Sequence, residues 1–286
     1  TCFKFDKQAC IDIACMKGSE YKGVKMPWQI IPILTDIPTE VDTEGFNVIT
    51  YIQTYNRSSL KRKVEKLLTD TRFLLFLKVD NLKITFFDGD EEILSLSKCY
   101  SGGILTLLRN DVPQNNWLIY SEEVPLPSHV KETLVHDTKT PSKLKESNSL
   151  EISFAVALDE ENKILPLEDA VMYTYLPTSF SFGQKFVINA NFITDAGRQQ
   201  IAKDCVWNEF IFSQIPSLFL GWIAKDLAQS HTDWYKVLPR YSYLDNELSA
   251  AYSKALSEAI QTIPFVKTID GNMVLLKEAL VDKIGV

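Results

Sequence analysis

The segment 186–212 has the sequence FVINANFITDAGRQQIAKDCVWNEFIF, in which the alternation typical of a β-strand gives way to the spacing typical of an α-helix. The strand part places four apolar side chains on one face: Phe186, Ile188, Ala190 and Phe192. Either Thr194 or Asp195 is suited to cap the helix that follows, because its side-chain oxygen can accept hydrogen bonds from free backbone N–H groups. The sequence therefore predicts a strand that leads directly into a helix, with Arg198 in the first helical turn.

The position of Arg198 leaves two interpretations open. A cation near the positive end of a helix dipole destabilises an exposed helix by several tenths of a kcal/mol. The free N–H groups and the guanidinium together would instead bind an anion well. Arg198 therefore either pairs with Asp195, Asp204 or another carboxylate, or contacts a phosphate group. Three polar residues nearby are weaker candidates for the same site: Asn189, Asn191 and Thr194.

Strand and helix patterns are mixed along the rest of the chain. Residues 150–158 alternate and predict a strand with one buried face. Asp-Gly pairs at 88–89 and 270–271 separate apolar runs and predict two β-hairpins. Pro216 suits the first turn of a helix, and the polar segment 131–149 predicts a flexible loop. This mixture favours an α+β fold, similar to an α/β sandwich.

Composition excludes several classes of protein. The chain has 286 residues, of which 45% are hydrophobic and 23% charged, as in ordinary globular domains. Its net charge of −7 argues against a nucleic-acid partner, and no apolar run approaches the length of a membrane span. The five cysteines contain no CxxC pair and indicate reduced thiols in the cytoplasm.

Common catalytic and metal-binding motifs are missing from the sequence. It contains no GxSxG or HExxH motif, and its three histidines lack the spacing of metal ligands. The sequence therefore predicts no metal site and no self-contained hydrolase.

A series of short motifs surrounds the opening segment. An LPT segment is followed by a strand, an arginine and a WN pair, and this order resembles the heat shock protein 90-like GHKL ATPases related to sacsin, of bacterial type. The matching residues are Leu176, Pro177, Thr178, Arg198, Trp207 and Asn208. Three further segments, 1–7, 74–85 and 263–280, are similar to other parts of that family. The resemblance thus extends over nearly the whole chain.

The resemblance implies a domain layout. Residues 1–80 would be the last strands and the exit helix of a Bergerat-type ATPase domain. Residues 81–286 would be the middle, or transducer, domain, with a helical C-terminal part and a flexible segment at 131–149. The chain would begin just after the second glycine motif of the nucleotide site, and the parent protein would have a chaperone-like or defence role.

The resemblance also implies a role for Arg198. In heat shock protein 90 chaperones a middle-domain arginine contacts the γ-phosphate of ATP held by the other domain. ATP and magnesium would bind to the parent protein and not tightly to this chain, so the chain alone is expected to be inactive. The upstream ATPase domain is the expected partner, with a client protein and a second copy as further candidates. Gln199 and Gln200 depart from the family, whose members commonly have acidic residues there.

An alternative from another class is a protein-interaction module without a nucleotide role. Arg198 would then form a structural ion pair. Exposed aromatic side chains would be the binding hot spots, and the candidates are Trp207, Trp222 and Trp234.

Overall fold

The computed structural model describes residues 2–4, 33–37, 39, 45, 47–50, 52, 56–86, 92–242 and 244–279. The chain divides into two compact units, Thr1–Lys63 and Val64–Val286. In the first unit, strand β1 (Cys2–Lys4) pairs antiparallel with β2 (Ile33–Thr35). The division lies within helix α1 (Arg57–Leu68), before the boundary expected at 80/81.

In its described part, the second unit is built on one nine-stranded sheet. The strands are β3 (Asn81–Phe86), β4 (Glu92–Ser101), β5 (Ile104–Arg109), β6 (Val112–Pro125), β7 (Ser149–Leu158), β8 (Ile164–Leu165), β9 (Met172–Thr174), β10 (Leu176–Pro177) and β11 (Val187–Ala190). Their order is β10-β9-β11-β7-β6-β5-β4-β3, and β8 pairs with β7. The β9–β11 pair is parallel, whereas the other pairs of this sheet are antiparallel. The fold is therefore α+β with a mostly antiparallel sheet.

The helices of the second unit lie mainly in its C-terminal half. They are α2 (Ser128–His136), α3 (Ser142–Lys145), α4 (Val206–Trp222) and α5 (Glu247–Thr262). Helix α4 continues through a π-helical turn (Ile223–Leu227) into a last α turn (Ala228–Ser230). Three 3₁₀ turns cover Thr71–Leu74, Trp234–Val237 and Leu276–Glu278. Strands β12 (Val266–Lys267) and β13 (Met273–Val274) form a separate hairpin.

Both predicted hairpins are confirmed. Strands β3 and β4 pair antiparallel around the first Asp-Gly pair, although the turn itself lies outside the described residues. In the β12–β13 hairpin, Gly271 has a φ of +83°, which glycine adopts at little steric cost.

Two expectations for local structure are wrong. Residues 131–149 were expected to form a loop, but they contain most of α2 and all of α3. Leu134 of α2 is fully buried, so an apolar anchor holds this polar segment in helical form. Pro216 lies inside α4 and not in its first turn. Pro216 itself and Ile215, Phe219 and Leu220 around it are buried, and this packing outweighs the loss of one helical hydrogen bond.

Strand β7 is buried on both faces and not on one as expected. Phe154 belongs to the apolar cluster that α4 and α5 cover. The opposite face carries Ala155 and Ala157, which pack in a second cluster with Leu74 and Trp117. The sheet is therefore the middle layer of the unit, with an apolar cluster on each side.

Aromatic rings fill the cluster between the sheet and α4. The rings of Phe219 and Phe186 are stacked with centroids 3.6 Å apart, and Phe219 meets Phe154 edge to face at 5.1 Å. Phe219 also contacts Trp222. Such ring pairs stabilise a core beyond their buried area by about 0.5–1.5 kcal/mol each.

We predict that Phe219→Ala lowers the free energy of unfolding by about 3–5 kcal/mol, because it removes a fully buried ring and leaves a cavity. Urea denaturation followed by tryptophan fluorescence measures the change. Val135→Ala, at a position 65% exposed, is the control and should change stability by less than about 0.5 kcal/mol. Equal effects of both variants would contradict the packing described.

Arg72 joins the first 3₁₀ turn to the segment before β9. Its guanidinium donates to Asp70 (2.7–3.0 Å) and to both carboxylate oxygens of Asp169 (2.8 and 2.9 Å). These hydrogen bonds lower the pKa of Asp169. Burial alone would raise the pKa of Asp70, but hydrogen bonds from Arg72 hold it below its ordinary value.

We predict that the contribution of Arg72 to stability is lost in acid. Since both folded-state pKa values lie below the ordinary value of 3.8, the contribution is complete above that pH and disappears as pH falls through the folded values. Urea denaturation of wild type and Arg72→Gln between about pH 6 and pH 3 measures it. The stability difference between them should shrink on acidification, and a difference independent of pH would contradict the assignment.

No helix in the described parts of the chain is both long enough and apolar enough to cross a membrane.

Candidate functional site

The segment around Arg198 is a closed loop and not the first turn of a helix. Helix α4 begins only at Val206. An isolated β-bridge joins Thr194 to Ile201, and Arg198 has a left-handed backbone with a φ of 55°. We call residues 191–202 the Arg198 loop. The predicted strand-to-helix connection is therefore wrong in its second half.

The side chain of Asp195 explains why the helix does not start there. Its Oδ1 atom accepts hydrogen bonds from the backbone N–H groups of Gln199 (2.8 Å) and Gln200 (3.2 Å). The backbone of Asp195 also bonds to Gln200 and to Arg198, at 2.9 and 3.0 Å. An aspartate that binds backbone groups in this way offers the chain an alternative to the helix.

The WN pair at the start of α4 holds both ends of the Arg198 loop. The fully buried Asn208 accepts from the N–H of Ile193 (2.9 Å) and donates to the carbonyls of Ile193 and Ala202 (both 2.8 Å). Trp207 donates its Nε1–H to the carbonyl of Asn191 at 2.8 Å. The loop is therefore fixed to the helix at its entry and its exit.

The LPT segment holds the loop from the other side. The buried Thr178 donates its hydroxyl to the carbonyl of Met172, next to the sheet. The following residue, Ser179, donates its N–H to the carbonyl of Gln199 and its hydroxyl to the side-chain oxygen of Gln199, both at 2.8 Å. Ser179, directly after the LPT segment, and the WN pair thus both contact the Arg198 loop, although about 30 residues separate them in the sequence.

The side chain of Arg198 is left free by these contacts. It is exposed, and its guanidinium takes part in no ion pair or hydrogen bond among the described residues. Of the carboxylates considered from the sequence, Asp204 pairs with Lys139 and Asp195 binds the loop backbone. A structural ion pair for Arg198 with either residue is therefore not formed.

The three weaker candidates for the anion site differ in their burial and in their hydrogen bonds. Asn189 is buried and its side-chain oxygen accepts from the N–H of Tyr175 at 2.8 Å, so this oxygen holds the β9–β10 turn. Asn191 is exposed, and its carbonyl is bound by Trp207. Thr194 is half-buried at the base of the loop. The structure thus places Asn191, Thr194 and Arg198 on one loop and gives Asn189 a structural contact.

Two of the three tryptophans considered as hot spots lie in the core. Trp207 and Trp222 are 1% and 4% exposed, whereas Trp234 is half-buried. An interaction surface built on Trp207 or Trp222 is therefore excluded by their burial.

The described residues contain no group of three or more histidine, cysteine, aspartate or glutamate side chains that could hold a metal ion. The Arg198 loop offers the guanidinium of Arg198 to a ligand, whereas the backbone N–H groups of Arg198, Gln199 and Gln200 bond to Asp195, so the free N–H groups expected from the sequence are not present there.

Comparison with known proteins gives one distant similarity. The sequence is 24% identical to Protein NO VEIN of Arabidopsis thaliana over an alignment of 197 residues, and the match covers 62% of this chain. The match spans only 6% of the length of that protein. No family model and no solved structure matches the chain.

We predict that Asn208→Ala destabilises the second unit by about 2–4 kcal/mol, because it removes three hydrogen bonds from buried backbone groups. Urea denaturation measures the loss, and hydrogen exchange should show a less protected Ile193 amide. Gln214→Ala on the same helix is the matched control, since its side chain bonds only to the neighbouring Ser213. An unchanged exchange rate at Ile193 would contradict the bracing role of Asn208.

Proposed function

We propose that this chain is part of a cytoplasmic heat shock protein 90-like GHKL ATPase of the sacsin-related type, and that Arg198 contacts the γ-phosphate of ATP held by the nucleotide domain. The chain then comprises the end of the ATPase domain and a middle, or transducer, domain. ATP and magnesium bind mainly through the upstream motifs of the parent protein.

The observation that carries the proposal is the exposed guanidinium of Arg198, which has no partner among the described residues and lies on a loop fixed at both ends. The two acidic candidates considered from the sequence, Asp195 and Asp204, are engaged elsewhere, so the guanidinium is available to a ligand. Because the loop is braced, little conformational freedom is lost when the guanidinium meets a ligand. The backbone of the Arg198 loop is thus suited to hold the guanidinium in place for a ligand.

The chemistry of phosphoryl transfer fits such a group. Charge develops on the phosphoryl oxygens, and the protein contributes mainly positioning and electrostatic stabilisation. A guanidinium can donate two parallel hydrogen bonds to phosphate oxygens and does not lose its charge at any physiological pH. An arginine that enters from a second domain can change the rate by roughly a thousandfold or more.

The meeting of the motifs supports the same proposal. Ser179, which follows the LPT segment, contacts one side of the Arg198 loop, and Trp207 and Asn208 contact the other. Residues that are far apart in the sequence therefore hold the same loop. The similarity to Protein NO VEIN adds a distant relative over about three fifths of the chain.

We predict that Arg198→Ala lowers ATP turnover at least tenfold in a chain extended upstream to include the nucleotide motifs. Alanine keeps a Cβ at the left-handed position, so the substitution removes the guanidinium without relieving the backbone as glycine would. The affinity for ATP, measured by calorimetry, should change by less than about threefold, because the nucleotide is held by the other domain.

The matched control is Arg240→Ala, which removes another exposed arginine. Its turnover should equal that of the wild type. Unchanged turnover in Arg198→Ala, with ATP still bound, would reject the phosphate contact. The unextended chain serves as a second control and should show no turnover.

A further inference from the structure

A groove lies between α2, α4 and α5, on the helical layer of the second unit. Its volume is about 520 Å³. On α4 it follows positions 206 to 214, which correspond to about 12 Å of helix at 1.5 Å per residue. We call it the three-helix groove. It has room for a few side chains of a partner.

Part of the groove lining is apolar or small. Val130 of α2 and Phe210 of α4 are buried at its base. Ala251 and Ala255, one turn apart on α5, line the opposite wall. Since alanine side chains fill little space, the two helices leave an open channel that an apolar side chain could fill.

The acidic groups of the groove lack cationic partners. Glu209 on α4 and Glu258 on α5 face it from two helices, and neither side chain forms an ion pair or hydrogen bond with a described residue. Burial, together with the nearby carboxylates of Glu247 and Asp137, raises the pKa of Glu209. Among the lining residues two carboxylates face one lysine, Lys254, and the carboxylates of Glu247 and Asp137 lie near Glu209, so the groove is acidic at Glu209 and favours a positively charged ligand there.

Lys254 and His129 also line the groove, and Lys254 offsets part of its negative charge. Both are exposed, and each is at the rim. The half-buried Glu209 faces Phe210 and the small α5 residues, so the inner part of the groove combines a carboxylate with an apolar floor. This combination matches a side chain with an aliphatic stem and a cationic end.

We propose that the three-helix groove binds a basic segment of a partner protein. An arginine or lysine side chain of that segment lies against Glu209 and Glu258. A neighbouring apolar side chain packs on Val130 and Phe210. The groove is open and runs along two helical turns, which suits a peptide segment better than an enclosed small molecule. The proposal does not depend on the role of Arg198.

The test uses the full chain labelled with ¹³C at alanine methyl groups. Ala251 and Ala255 report from the groove, and Ala157, buried in the other apolar cluster, is an internal control. The probe is the peptide acetyl-Leu-Arg-Leu-amide. Its neutral counterpart carries citrulline in place of arginine, which keeps the shape and removes the charge.

The arginine peptide should shift the Ala251 and Ala255 signals saturably and leave Ala157 unchanged. The citrulline peptide, and the Glu209→Gln/Glu258→Gln variant with the arginine peptide, should each bind about fivefold more weakly. The control variant is Glu160→Gln, on an exposed turn outside the groove, and it should bind the arginine peptide as the wild type does.

Three results would overturn the proposal. One is the absence of any saturable shift at Ala251 and Ala255. Another is equal binding of the arginine and citrulline peptides, which would show that charge has no role. The third is tighter binding of spermidine than of the arginine peptide, which would assign the groove to a small polycation.

Discussion

The hydrogen bonds of the Asn208 side chain are the interaction on which the candidate site depends. They join the exit of β11, the Arg198 loop and the first turn of α4 through three backbone contacts. A buried amide with satisfied partners is rigid, whereas without it the N–H of Ile193 and the carbonyl of Ala202 would lose their partner. The position of the loop relative to the sheet therefore follows from one side chain that does not itself face solvent.

The two-sided sheet provides the rigid support for this arrangement. Strand β7 lies in the middle of the unit and pairs with β6, β8 and β11. Large side chains on one of its faces pack against α4, and alanines on the other allow the second cluster to approach closely. Strand β11 continues directly into the Arg198 loop. The loop is therefore anchored to the interior of the sheet and not to its edge.

Sequence patterns predicted those elements whose signals are local. The alternation in β7 and the Asp-Gly hairpins depend on residues close together in the chain, and the structure confirms them. Burial of both faces of β7 was missed because Ala155 and Ala157 give no hydrophobic signal. The helices in 131–149 were missed because a few apolar anchors, such as Leu134, outweigh a polar composition.

The candidate site could be predicted in its parts but not in its geometry. Arg198 and the WN pair were recognisable as motif residues, and the free guanidinium agrees with one of the two interpretations left open. The helix predicted at Asp195 was wrong, because side-chain bonding to Gln199 and Gln200 closes a loop instead. The contacts of Asn208 with Ile193 and Ala202, and of Ser179 with Gln199, join separate segments, and no single-sequence pattern reports such contacts.

The left-handed backbone of Arg198 has an evolutionary consequence. A φ of 55° disfavours most residues with a Cβ by roughly 1–2 kcal/mol; glycine would remove this cost, and asparagine would lower it because its side chain can hydrogen-bond locally. A protein under selection for stability alone would drift to those residues at this position. Retention of arginine across relatives would therefore measure selection on the charge itself, independently of any assay of activity.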